Sequence, residues 1–226
     1  MDLIIQTPTP NLAESKAFYS NLGFTPIVNS NCYTDGKSII EIDTDRFSRP
    51  GIKLYANSWK EKVAELQKIT KLVETKNGYL LGDTSGTWIY LIESESPVEI
   101  PNDCENSLFG NNQGVSIETV DIETTSKIWN NIGFTTKYGS PEQGWISMAS
   151  ESGIAVNLMT PNSCPHLFLN PSISFFNGAN NPEIIQKIRA TGIPIKEEIT
   201  HFNENGDVDN IIMSDPGNIG FFIFND

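Results

Sequence analysis

Residues 11–26, NLAESKAFYSNLGFTP, return 110 positions later as DIETTSKIWNNIGFTT (121–136). Asn21/Asn131, Gly23/Gly133, Phe24/Phe134 and Thr25/Thr135 are identical, and Leu12/Ile122, Phe18/Ile128, Tyr19/Trp129 and Leu22/Ile132 stay apolar. A repeat at half the chain length constrains the fold more than any other feature: the chain is two similar units in tandem, and each must bury its own apolar pattern in the same way.

The 226 residues suit two small domains. Acidic residues number 28 against 15 basic ones, a formal charge of -13. That surface repels phosphate backbones and anionic headgroups, so neither nucleic acid nor a membrane surface is an expected partner. Cys32, Cys104 and Cys164 are odd in number and widely spaced, which fits neither a disulfide framework nor a metal knuckle. MDLIIQTPTP has no basic region and only a short apolar run, unlike a signal peptide, and a cytoplasmic location is expected.

Local signals repeat one order of elements. Residues 3–7 read as a strand ended by Pro8 and Pro10. Asn11 is placed to cap a helix, with Glu14 as its capping-box partner and Gly23 at its end. Runs at 24–29, 32–36 and 38–43 complete β-α-β-β-β. A second such unit begins at GIKLYA (51–56), with a helix at 59–69 and strands ending near Glu93. The third has a strand at 114–119 and a helix at 121–132 capped by Asp121. In the fourth, SISFFN (172–177) precedes a helix at about 182–191, with Asn181 as cap, Pro182 at its first position and Gly192 past its end. DTSGTWIYLIES (83–94) matches DPGNIGFFIFND (215–226) in register from the glycine. The expected organisation is one domain over 1–95 (units 1–50 and 51–95), a linker over 96–111 rich in Ser, Pro, Asn and acids, and a second domain over 112–226 (units 112–162 and 163–226).

The N-L-x-x-S-x-x-F-Y-x-x-L-G-F of 11–24 and the D-P-G-N-x-G-F-F-I of 215–223 resemble the vicinal oxygen chelate superfamily: glyoxalase I, the extradiol dioxygenases and the bleomycin-resistance proteins. The resemblance implies an α+β fold of four βαβββ units, two per domain, with curled mixed sheets around an open-sided cavity and flanking helices. In metal-dependent members, ligands lie on the first and last strands of each unit. Here the matching positions are Ile4, Glu41, Gly51 and Tyr90 in the first domain, and Gly114, Asn157, Ser172 or Ile173, and Phe221 in the second. A divalent ion needs several converging lone-pair donors, and one carboxylate does not supply them. Neither His166 nor His201 falls at a ligand position, so no metal and no cofactor are expected.

The candidate ligand-binding residues follow from strand alternation. Glu41, between Ile40 and Ile42, faces away from them and is a potential polar anchor paired with Lys53; a solvated surface glutamate is the plainer alternative. Gln6 shares a face with Ile4. Tyr55, Trp88 and Tyr90 would line the first cavity, and Trp145, Asn157 and Phe221 the second. Aromatic walls suit a flat organic ligand, though aromatic strand residues are more often core. His201 is a weak candidate general base, lacking an acidic neighbour to orient it. The expected function is metal-free binding of a small organic molecule by a monomer or homodimer. The alternatives are a divalent-metal lyase, isomerase or dioxygenase with Gln6 and Glu41 at its site, and a non-catalytic scaffold in which one domain has degenerated.

Overall fold

The computed structural model describes all 226 residues. The first half holds β1 (Asp2–Pro8), α1 (Leu12–Asn21), β2 (Thr25–Pro26), β3 (Cys32–Thr34), β4 (Ile39–Asp43), β5 (Gly51–Ala56), α2 (Lys60–Leu66), β6 (Leu72–Thr75), β7 (Gly78–Gly82) and β8 (Trp88–Glu93). The second half holds β9 (Asn112–Glu118), α3 (Ile122–Ile132), β10 (Thr135–Ser140), β11 (Trp145–Ala149), β12 (Ala155–Met159), β13 (Ser172–Phe176), α4 (Asn181–Ala190), β14 (Glu197–Ile199), β15 (Asn210–Ser214) and β16 (Gly220–Phe224). The order is βαβββ four times, and the fold class is α+β.

Each half forms one eight-stranded mixed sheet. The orders β2-β3-β4-β1-β5-β8-β7-β6 and β10-β11-β12-β9-β13-β16-β15-β14 are the same order written twice. Within a unit the first strand runs parallel to the last, as β1 does to β4, and two units join through an antiparallel pair, β1 with β5 or β9 with β13. Both sheets are open: their edge strands do not pair, so the expected curl does not become closure.

Alternation sends Leu3, Ile5, Ile52, Leu54, Val115, Ile117, Ile173 and Phe175 to the face that carries the helices. There the two halves share a single cluster of 38 buried residues. Phe18 and Tyr19 of α1 reach across to Phe221 of the second sheet, at ring separations of 5.9 and 6.4 Å. The stretch 96–111 has no helix or strand, yet it is more than a spacer. Phe109 is fully buried between Phe24, Phe175 and Phe221, at 5.6, 5.3 and 5.0 Å. Such a burial stabilises by about 1.5–3 kcal/mol. Val98 and Ile100 pack on the opposite face of the first sheet, against Ile4, Ile39 and Tyr55.

The halves also clasp each other through matched turns. Before β16, the Asp215 carboxylate accepts hydrogen bonds from the Thr7 hydroxyl (2.5 Å) and the Tyr19 hydroxyl (2.7 Å) of the first half. Gly217 lies so close that a Cβ there would overlap Thr7 Oγ1 and the Pro8 carbonyl. Before β8, Thr84 Oγ1 sits 2.6 Å from both Thr119 Oγ1 and Thr125 Oγ1 of the second half. The helix starts differ in one respect from expectation. Asn11 and Asp121 accept from the Glu14 and Thr124 amides as N-caps, but Asn181 is not a cap. It is the first residue of α4, fully buried, and its amide donates to the Asp209 and Ile223 carbonyls.

Candidate functional site

An opening lined mainly by apolar side chains lies on the second sheet, on the face away from the helices. It is a cavity of about 590 Å³, within the range of small-molecule sites. Its walls include Trp145, Phe168, Phe176, Phe222 and Phe224, with His166 between them. The His166 ring stands 5.4 Å from Phe222 and 5.1 Å from Phe224. Its Nδ1 lies 3.0 Å from the Leu167 carbonyl, an acceptor, so Nδ1 is the donor in that contact. The floor is polar and made of short side chains: Ser116 on β9, Asn157 on β12 and Ser174 on β13. The Ser116 and Ser174 hydroxyls are 2.7 Å apart, and Ser147 donates to Asn157 Oδ1 at 2.8 Å.

Strand pairing explains why this cavity is in one half only. In the first sheet Gln6 pairs with Glu41, and Lys53 pairs with Tyr90. In the second sheet Ser116 pairs with Asn157, and Ser174 with Phe222. These are the same four places in the duplicated ladder. The first half fills them with long side chains that satisfy one another. Lys53 Nζ lies 2.5 Å from Glu41 Oε2, and Gln6 Nε2 donates to the Arg49 carbonyl at 2.8 Å and lies 3.4 Å from Tyr90 Oη. Ile4, Ile27, Cys32, Ile39 and Tyr55 then pack together under Val98 and Ile100. Burial pushes the Tyr55 hydroxyl well up, with the Glu41 charge adding to it, and burial also raises Tyr90 and the Cys32 thiol.

The sequence-derived candidates therefore divide. Trp145 and Asn157 line the cavity. Gln6, Glu41, Lys53, Tyr55 and Tyr90 sit together on the first sheet as a packed polar and aromatic layer, and Trp88 is 39% exposed at its margin. Phe221 belongs to neither. It is fully buried in the shared core, on the helix side, and Phe222 takes the place matched to Tyr90. The two turns superpose on Asp83 and Asp215 rather than on the glycines: the Asp83 amide bonds the Thr87 carbonyl as the Asp215 amide bonds that of Ile219. Alignment on the glycine slips the strand by one residue, which exchanges its faces. Ser172 was a candidate ligand position together with Ile173. Ser172 bonds the Leu169 carbonyl, and Ile173 is core. His201 is exposed, with its ring against Phe202. Ser116, Ser174, His166 and Phe168 were not singled out in the sequence. The serines carry no motif, and His166 and Phe168 lie in 160–171, outside the repeated pattern.

A divalent ion does not fit these residues. The one carboxylate in the first layer, Glu41, already holds an ammonium, and the second floor offers two hydroxyls and an amide. Nowhere do three or more His, Cys, Asp or Glu side chains converge as a metal would require. No helix is long and apolar enough to cross a membrane.

The tandem βαβββ sheets have the fold of two glyoxalase-like domains in tandem. Among solved structures, the chain is similar to the 2,3-dioxygenase LapB from Pseudomonas sp. KL28, at 15% identity and TM-score 0.55 over 96% of this chain and 89% of that one. It is also similar to a mutant of 4-hydroxymandelate synthase from Streptomyces coelicolor (11%, 0.57, 97% and 90%) and to a catechol 2,3-dioxygenase (11%, 0.53, 97% and 85%). These likenesses show the fold. No protein-family model and no curated protein sequence matches the chain.

Proposed function

We propose that the protein binds a small, flat organic molecule in the cavity of the second sheet, by shape and a few hydrogen bonds and without a metal ion. The observation that carries the reading is the cavity itself: about 590 Å³, walled by Trp145 and five phenylalanines over a floor of serines and asparagine. Aromatic walls bury the faces of a planar ligand, and a few fixed polar groups orient it. The first half, its matching space filled, acts as support.

Thermal unfolding in the presence of a panel of aromatic compounds tests this. A ligand at a hundredfold excess over its Kd adds about 2.7 kcal/mol, or about 5–10 °C in a chain of this size. Trp145→Ala with Phe168→Ala is expected to abolish that shift. Absence of any stabilising compound, or a shift that survives the double variant, refutes the proposal. The rival reading, a metal-dependent lyase, isomerase or dioxygenase, is supported by the fold alone. Stoichiometric metal in protein purified without chelators would favour it.

A further inference from the structure

We infer that the floor of this cavity recognises an acceptor oxygen, and that the ligand is a flat aromatic compound bearing a carboxylate or carbonyl group. The inference rests on the binding reading above and deepens it. Ser116 and Ser174 are 1% and 3% exposed, and the 2.7 Å bond between them is the only hydrogen bond either hydroxyl makes. Two hydroxyls carry two protons, and one bond uses one of them. The other is a buried O–H with no protein acceptor. An idle lone pair on a hydroxyl is tolerated in a protein interior, but an idle buried donor is seldom left so.

Asn157 adds a second donor beside this one. Its Oδ1 accepts from Ser147, and one of its N–H groups donates to the Gln113 carbonyl at 3.2 Å. That leaves one N–H uncommitted. Ser116 and Asn157 are register partners, so the serine pair and the spare N–H share one stretch of the floor, whichever of the two hydroxyls holds the idle proton. No carboxylate shares the floor. The lining also carries Lys37, Lys137 and Asp226. A carboxylate or carbonyl oxygen placed over the serines accepts both protons, while its ring lies between Trp145 and the phenylalanines. A ligand that offers only donors, or a cation, leaves the spare O–H unpaired.

Calorimetric titration of the full chain with four naphthalenes of nearly equal shape tests this: 2-naphthoate, 2-acetylnaphthalene, 2-methylnaphthalene and 2-naphthylmethylammonium. The naphthoate is expected to bind about tenfold more tightly than the methyl compound, the ketone between them, and the ammonium most weakly. In S116A/S174A both partners of the buried bond become apolar together, so stability is expected to hold. The preference for naphthoate should then fall to about twofold or less, with methylnaphthalene affinity unchanged. Equal affinities for naphthoate and methylnaphthalene overturn the inference and leave the cavity reading standing. So does tighter binding of the ammonium, or a preference that survives the double variant. Failure of all four probes to bind overturns both.

Discussion

At the scale of single residues, the molecule turns on four places that the duplicated ladder presents twice. Gln6, Glu41, Lys53 and Tyr90 fill them in one half, and Ser116, Asn157, Ser174 and Phe222 in the other. Long side chains close the space and short ones leave it open. The Lys53–Glu41 pair is correspondingly structural. The two side chains are 14% and 29% exposed, so they are partly desolvated. Lys53→Met is expected to cost about 1–3 kcal/mol, less than for a fully buried pair because water still reaches both groups. Adding Glu41→Leu should recover most of that loss, because the stranded carboxylate is then gone. Denaturant midpoints at constant slope read both values; a Lys53→Met chain as stable as the parent would make the pair a mere surface contact. The pairing of Glu41 with Lys53 could be anticipated because alternation places both on one face. The role of Phe221 could not, because the glycine sits one place earlier in the second turn than in the first, and alignment on it exchanges the two sides of the strand.

At the scale of elements, period and capping residues carried most of the prediction. GIKLYA is β5 as expected, and Asn11 and Asp121 start α1 and α3. The stretch 96–111 reads as a linker from its Ser, Pro and acidic content. It contains four apolar side chains that composition hides: Val98 and Ile100 on the first sheet, and Leu108 and Phe109 at the core. Nothing in a run without period says which surface an isolated apolar residue will find. Replacing Val98 and Ile100 together by serine is expected to destabilise the protein by about 1–3 kcal/mol, since both are only partly buried. It should also speed hydrogen exchange at the β1 and β5 amides beneath them. Unchanged stability and exchange would show that the stretch merely lies alongside the sheet.

At the scale of the whole molecule, one core and two reciprocal turns bind the halves. The turn at Asp215 is the more consequential, because a carboxyl group is buried at the seam. Burial raises its pKa above the usual carboxylate range despite the hydrogen bonds from Thr7 and Tyr19, which pull the other way. A raised native pKa means that the folded chain holds this proton more tightly than the unfolded one. The stability so gained is complete below the unfolded pKa and is lost as pH rises through the native value. Asp215→Asn removes that contribution. Urea unfolding of both chains between about pH 3.5 and 7 should show a stability difference that changes across the acid range and is constant near neutrality. A difference independent of pH would mean that Asp215 titrates alike in both states. The two halves are legible in the repeat, and the four units in the recurring order of elements. The turn at Asp215 is not, because its contacts join residues about 200 positions apart.

The filled first sheet has a consequence of its own. Matching substitutions in the two halves carry opposite meanings: trimming Gln6, Glu41, Lys53 or Tyr90 hollows a brace, whereas enlarging Ser116, Asn157 or Ser174 plugs a vessel. The duplication thus holds in reserve a second chamber whose walls already stand, stoppered by its own side chains.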